Sequence, residues 1–419
     1  MTDDLASSLL RSAPLRPTDG SEGAAAWAAS GAMWLTGRPG GPPRFAPPLL
    51  GPLGVAPFMQ VLAERLGQLS SLLGERVSLD GPALLGERAA ITGQQRQGDV
   101  SCGGATRLLR THDGWIAVSL ARNEDHAAVP AWLEADVDGH DPLAIERIVE
   151  TLPSRHLVDR ATLLGLACSA LGETQTAVLP AVERGAAPPV QSLREVTVVD
   201  LSSLWAGPLC GQLLAAAGAR VIKVESTQRP DGARLGPGAF FDLLHSGKES
   251  IALDLTDASG RRTLAGVCAR ADVVIEASRP RALAQLGIDA ERAPARVWLS
   301  ITGYGRHQPM RVGFGDDAAV SADLVAVDDE GPVFAADAAA DPIAGLLGAV
   351  AVLDRLAFGG KWLVDLSLAG AAALAVSYGA SAGQPTSLDE PVQRPRARVP
   401  MGRAPALGAH NHALSSLLA

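Results

Sequence analysis

Apolar residues in the second half of the chain come as short unbroken runs, each followed by a stretch with helical spacing. "VTVVDL" at 196–201 is one such run; a Gly-Pro turn and a helix ending at Gly218 follow, and "ARVIKVE" closes on Glu225. A run, a helix and a second run in that order predict a βαβ unit. The pattern continues. "SIALDL" reads as a strand, Asp257 caps a helix through "ASGRRTLAGVCARA", "DVVIEAS" is a strand, "PRALAQLG" a short helix and "ARVWLSITGYG" the next strand. Such alternation predicts an α/β fold, a doubly wound and mostly parallel sheet of Rossmann-like type, and ligands of such sheets gather beyond the carboxyl ends of the strands. Those ends fall near 202–208, 225–234, 276–281 and 302–306.

The first half has a different texture. Residues 1–24 and 36–57 are rich in Pro and Gly and read as tail and loop, while 58–90 carry helical periodicity around "FMQVLAERLGQLSSLLG". "TRLLRTHDGWIAVSL" reads as a β-hairpin turning at Asp113-Gly114, and the chain after Asn123 reads as helical up to "LREVTVVD". A shift of 290 positions lays "GPLGVAPFMQVLAERL" (51–66) over "DPIAGLLGAVAVLDRL" (341–356), matching Pro52 with Pro342, Arg65 with Arg355 and Leu66 with Leu356. Two helices rich in Ala and Leu resemble each other by composition alone, so duplication and coincidence both fit. In a true repeat Gly51 stands where Asp341 stands, and only the second copy carries a carboxylate.

Composition narrows the function. A chain of 419 residues, 47% hydrophobic and 19% charged, reads as a soluble globular protein with room for two or three cores. The net charge of −9 without a basic block leaves no footprint for nucleic acid. Cys102, Cys168, Cys210 and Cys268 lack CxxC spacing, which argues against a zinc site and a disulfide framework. The start has no apolar core of a signal peptide, and no apolar stretch approaches the roughly 20 residues of a membrane span. A cytoplasmic protein without a membrane partner is expected. "HNH" at 410–412 has no neighbouring ligand residues and reads as solvated surface.

Asp341, directly before Pro342, has two readings. Asp at the N-cap with Pro at the first helical position is an ordinary helix start. Equally, a carboxylate at a helix N-terminus is held ionised by the macrodipole and serves as a nucleophile. The first βα turn, "DLSSLWAGPLCGQ", points the backbone N–H groups of Leu204 to Gly207 at whatever lies above the helix, but only Gly207 and Gly211 stand where a dinucleotide fingerprint needs three glycines.

In order along the chain, "VVDLSSLWAGPLCGQLLAAAGARVIKVES", "HSGKESIALDL", "ADVVIEASRP", "SITGYG", "GFGDDAAVSADLVA", "DPIAGLLGAVAVL", "VDLSLAGAAAL" and "GRAPALGAHN" resemble the signature segments of the class III coenzyme A transferases, to which alpha-methylacyl-CoA racemases are related. The resemblance covers 196–380 almost continuously. It implies that Asp341 is the catalytic aspartate, and that coenzyme A is bound by Leu204, Trp205, Ala206, Arg234, Lys248, Arg279, Gly303 and Tyr304, with Arg281 a further phosphate partner. Lys248 otherwise reads as a solvated lysine. The implied reaction passes through an aspartyl mixed anhydride and an aspartyl-CoA thioester, with an acyl-CoA and a carboxylic acid as partners, no cofactor beyond coenzyme A as substrate, and a homodimer as the assembly. Ala344 and Gly345 leave room for a thioester, and loops such as 98–106 and the tail supply the acyl contacts.

Three departures bear on that reading. A small-domain-like segment precedes the large domain, as in a circular permutation or a duplicated chain cut across its middle. "EASRPR" puts Ala277 and Ser278 where the family has an amide and an aromatic. Phe314 and Gly315 occupy the segment where racemases carry a histidine, which removes the second acid/base group. Acyl-CoA racemase or isomerase, and a non-catalytic binder of coenzyme A, are the alternatives. The expected organisation is a flexible tail (1–24), a degenerate large-domain-like segment (25–94), a small α+β domain (95–190), a large CoA-binding Rossmann-like domain (191–380) and a C-terminal extension (381–419).

Overall fold

The structure is a computed structural model and describes residues 2–4, 20–41, 51–175, 179–278, 280–378 and 391–418. Along the chain, strand β1 (Thr2–Asp4) is followed by a helix Gly20–Ser30, by helix α1 (Gly51–Leu73) and by the short helix α2 (Glu87–Thr92). Strands β2 (Thr106–Arg110) and β3 (Trp115–Ser119) form the expected hairpin, with Arg110 opposite Trp115. Helices Asn123–Leu133, Pro142–Val149 and Ser154–Leu164 lead to β4 (Ala167–Ala170) and β5 (Pro180–Gly185). The βα alternation then begins: β6 (Thr197–Asp200), helix α3 (Ala206–Ala216), β7 (Arg220–Ser226), β8 (Glu249–Leu253), β9 (Val273–Glu276) and β10 (Val297–Thr302). Helix α4 (Gly315–Ser321), the hairpin β11 (Val325–Asp328) and β12 (Gly331–Phe334), helix α5 (Ala340–Phe358) and β13 (Lys361–Ser367) complete the parts that matter here.

The main sheet runs β1-β5-β13-β10-β9-β6-β7-β8, parallel from β13 to β8, with β5 and β1 added antiparallel at one edge. Strands β6, β9 and β10 are apolar on consecutive positions because helices cover both faces, so neither side needs polar residues. Two expectations change. Residues 2–4, expected in a flexible tail, are the outermost strand, and β5, inside the span expected to be the small domain, belongs to the main sheet. Hairpin β2-β3 is extended by β4 into a separate three-stranded sheet whose core includes Trp132, with its indole N–H donated to Leu157 O at 2.9 Å.

Helix α5 is buried almost all round from Pro342 to Leu356, because it lies between α1, α3 and the sheet. The two segments of the suspected repeat are thus both helices, packed on each other and tied by Arg65 to Asp354 at 3.2 Å. Gly345 does not clear a path for substrate: a Cβ there meets Ala206 O at 2.7 Å and Leu209 Cβ at 3.0 Å, and Ala344 is fully buried. The residue is small so that α5 can approach α3.

"HNH" is not solvated surface as a unit. Ser250 N donates to His410 Nδ1 (3.0 Å), and the Asn411 side chain accepts from Ala252 N and donates to Ala252 O, both at 2.9 Å. The amide thereby imitates one residue of a further strand along β8.

Gly345→Ala drives a methyl into that helix contact, and a loss of about 1–3 kcal/mol is expected for such overpacking, measured by urea unfolding.

Candidate active site

Strands β7 and β8 leave β6 on one side, and β9 returns to its other side, so the direction of winding reverses between β6 and β9. The carboxyl ends of strands diverge at such a point and leave a crevice. A cavity of about 310 Å³ occupies it, lined by Leu201, Ser203 and Leu204 after β6, Ala277 and Ser278 after β9, and Thr302, Gly303 and Gly305 after β10, and closed by Phe314 and Asp341. Of the strand ends expected to gather ligands, the one after β7 is absent from this lining. The volume sits at the low end of the roughly 300–1,000 Å³ of small-molecule sites.

Helix α5 starts at Ala340 with Ala339 at the cap position, so Asp341 is the second helical residue and not the N-cap. Its N–H bonds Ala338 O at 2.9 Å. The loop before it is strained: Ala336 and Ala338 have φ of +62° and +44°, a region that costs an L-residue roughly 1–2 kcal/mol. Neighbours pin it. Ala336 N donates to Thr36 Oγ1 (3.2 Å), Cys102 Sγ meets Ala336 O at 3.4 Å, and Asp337 N donates to Leu85 O (3.3 Å). Arg88 grips the fully buried Asp337 carboxylate with Nε at 3.0 Å and with Nη2, and Asp316 Oδ1 accepts from Ala338 N at 3.1 Å. Loop 98–106 therefore braces the segment before Asp341, and none of its residues lines the cavity among those described. Gly315 opposite is required, because a Cβ there collides with Asp341 Oδ2.

Asp341 is not simply held ionised. Burial pushes its carboxyl up to about 7, Arg88 pulls the other way, and Asp316, Asp317 and Asp337 push further up. Asp316 rises to about 6 and Asp317 to about 7, again chiefly through burial. For Arg88, burial opposes the charge, but Asp337, Asp316 and Asp341 outweigh it and raise its pKa. The dipole of one helix end is a small effect beside desolvation in this setting.

The residues matched to coenzyme A contacts part company. Leu204, Ala206 and Gly303 line the cavity with Asp341. Leu204 has φ of +72° and gives its N–H to Asp231 Oδ1 at 3.0 Å, so that donor is not free for a ligand. Trp205 is 2% exposed and packs edge-on to Phe240, outside the lining. Tyr304 is buried too, its hydroxyl donated to Asp317 Oδ2 at 2.6 Å. Arg234 pairs with Glu225 at 2.6 Å and stacks on Phe241. Lys248 is neither solvated nor in the cavity: its ammonium lies 2.8 Å from Asp200 Oδ2 and donates to Pro208 O at 2.9 Å, with both side chains fully buried. Gly211 is glycine for that pair, since a Cβ there comes within 3.0 Å of both charged atoms. Asp200 in turn accepts from Ser202 N at 3.0 Å and so shapes the start of the turn. Arg279 lies outside the described residues.

Sequence reading missed Arg88, Asp316, Asp317 and Asp337, together with Arg122 and Arg311, which line the cavity. Adjacent Asp316 and Asp317 in "GFGDD" were visible as a pair of acids at a helix start. Arg88 gave no signal.

The profile of CoA-transferase family III matches residues 193–410. The chain is 32% identical to succinate–glutarate CoA-transferase of Agrobacterium fabrum over 187 residues, 39% of this chain and 46% of that one. It is 36% identical to alpha-methylacyl-CoA racemase of Mus musculus over 118 residues, 27% of this chain and 29% of that one. A solved CAIB/BAIF family protein from Brucella suis gives a TM-score of 0.41 at 29% identity, covering 47% of this chain and 59% of that one. The chain spans about half, or less, of the length of the curated relatives it matches.

Lys248→Met strands Asp200 without its cation, and a loss of about 3–5 kcal/mol is expected from denaturant unfolding. Raised carboxyls have their own signature. Native Asp341, Asp316 and Asp317 hold protons that the unfolded chain has released, so their stabilising contribution is complete below about pH 4 and is lost as pH rises through about 6 to 7. Asp341→Asn should therefore raise the melting temperature at pH 8 and leave it unchanged at pH 4, as read by scanning calorimetry.

Proposed function

This chain belongs to CoA-transferase family III, and from that premise we propose that it moves coenzyme A from an acyl-CoA to a free carboxylic acid through Asp341. The observation that carries the reading is the position of Asp341. It is the one carboxylate lining the crevice at the switch point, among the described residues, and it shares that lining with Leu204 and Ala206.

In the proposed cycle the Asp341 carboxylate attacks the thioester carbonyl, the carbon–sulfur bond breaks, and a mixed anhydride and coenzyme A thiolate form. The thiolate attacks the aspartyl carbonyl and releases the donor acid, leaving an aspartyl-CoA thioester. An acceptor carboxylate attacks that thioester, giving a new anhydride and thiolate. The thiolate then takes the acceptor's acyl group and frees Asp341. Covalent catalysis divides one difficult exchange into easier ones. No general base is needed, because the nucleophile is an anion. A lining of Ala206, Gly207, Ile301, Val312 and Phe314 keeps water from the reactive acyl groups.

Neither histidine nor a second acid lines the cavity among the described residues, which disfavours racemisation, since that chemistry needs a second proton carrier. The named relatives include a transferase acting between succinate and glutarate. A small dicarboxylate pair is accordingly the first substrate class to try.

With succinyl-CoA and glutarate in a panel of acyl-CoAs and acids, hydroxylamine quenching followed by peptide mapping should place a hydroxamate on Asp341, and Asp341→Ala should lower kcat by at least about a thousandfold. Transfer by wild-type protein should climb as pH rises through about 7 and level off above, as the anion of Asp341 becomes dominant. Coenzyme A binding that survives Asp341→Ala, with no turnover in the wild type, would establish a binding module. Deuterium entry at the alpha carbon without acceptor acid would establish an isomerase.

A further inference from the structure

The segment matched to the family begins at residue 193, yet the strained loop that carries Asp341 is pinned largely by residues that precede it. Arg88, on α2, stands out among these. One side of its guanidinium grips Asp337, four residues before Asp341. Its Cζ also lies 4.8 Å from the centre of the Trp205 ring, and the neighbours of Trp205 on either side, Leu204 and Ala206, line the cavity. A single planar cation thus links the loop before Asp341 to the residue between Leu204 and Ala206.

Charge gives it a second task. Asp316 and Asp317 face Asp341 from α4, and Asp337 from the loop. Two guanidiniums line the cavity: Arg122 pairs with Asp125 at 2.6 Å, and Arg311 pairs with Glu173, lies over the Tyr304 ring and favours the Asp317 anion, whereas the cation that acts on Asp341 is Arg88. Four clustered, partly desolvated carboxylates do not all ionise readily without a cation among them.

We propose that Arg88 is a positioning residue for the transfer reaction, fixing the loop that presents Asp341 and supplying the positive charge that lets its carboxylate ionise among Asp316, Asp317 and Asp337. This rests on the proposed role of Asp341. The arrangement makes the segment around α2 a working part of the site, and it predicts different behaviour for two variants that break the same ion pair.

Arg88→Gln removes the cation and leaves the anions. The midpoint of the pH–rate profile should move up by about one pH unit, so that kcat falls about tenfold more at pH 6 than at pH 9. Asp337→Asn removes an anion and leaves Arg88, so the midpoint should move down. Arg88→Lys keeps the charge without the two-pronged grip; its midpoint should stay near that of the wild type while kcat falls at every pH. Equal losses at all pH values in Arg88→Gln and Asp337→Asn, with unmoved midpoints, would reduce the pair to a structural brace and overturn the proposal. Should Arg88→Gln fail to fold, judged by circular dichroism, Arg88→Lys carries the test: an unmoved midpoint with kcat lowered at every pH supports the proposal, and an unchanged kcat overturns it. Titration of the Asp341 carboxyl by carbon-13 NMR in aspartate-labelled protein, assigned with Asp341→Asn, reads the same shifts without turnover. A chain that transfers no coenzyme A would thus defeat the proposed function while leaving the effect of Arg88 on Asp341 measurable.

Discussion

Placing negative charge where water is scarce is the constraint on which this site turns. An ionised carboxylate taken out of water costs several kcal/mol unless a cation or donors replace its hydration, and Asp316, Asp317, Asp337 and Asp341 share one neighbourhood. The protein meets this by unequal treatment. Asp337 receives the guanidinium of Arg88, Asp317 receives a phenol hydroxyl and the Phe314 N–H, Asp316 holds Ala338 N, and Asp341 is left towards the cavity. Among these four acids, Asp341 is the one that lines the cavity.

That division explains why positions matched to a family's ligand contacts behave so differently in this chain. Leu204 and Ala206 line the crevice, whereas Trp205 between them turns inward onto Phe240 and under Arg88. Lys248 is spent on Asp200, whose other oxygen shapes the turn after β6. Asp231 serves that turn from the other side: Oδ1 accepts the N–H groups of Leu204 and Ala233, and Oδ2 is 2.9 Å from the Lys223 ammonium. Lys248, Asp200 and Asp231 hold the turn, while Leu204 and Ala206 line the cavity.

Sequence carried the parts of this structure that depend on local pattern. Runs such as "VTVVD" and "VWLSIT" must be buried on both faces, and the helix between β6 and β7 leaves little choice but a parallel crossover, so the sheet was legible, whereas its strand order and switch point were not. The Asp113-Gly114 hairpin was legible for similar reasons. What stayed hidden depends on distance along the chain. Arg88 and Asp337 are separated by 249 positions, and nothing near either announces the other. Asp341 was singled out both as a helix cap and as an ionised nucleophile, but the helix starts two residues earlier than the Asp-Pro pair suggests and burial raises its carboxyl, and both are tertiary facts. Gly345 was read as room for a thioester and Gly211 as part of an incomplete fingerprint, and only packing shows that helix approach and a buried ion pair are what demand them.

The chain end near Asn411 has a wider meaning. A mostly parallel sheet of apolar strands finishes on β8, and the unpaired groups of a terminal strand invite a strand from another molecule. Asn411 fills the ladder position beside Ala252 with a side chain, and His410 engages Ser250 next to it. The closing segment thereby works as a selvedge: groups of β8 that an incoming strand would use at Ser250 and Ala252 are already taken within the same chain.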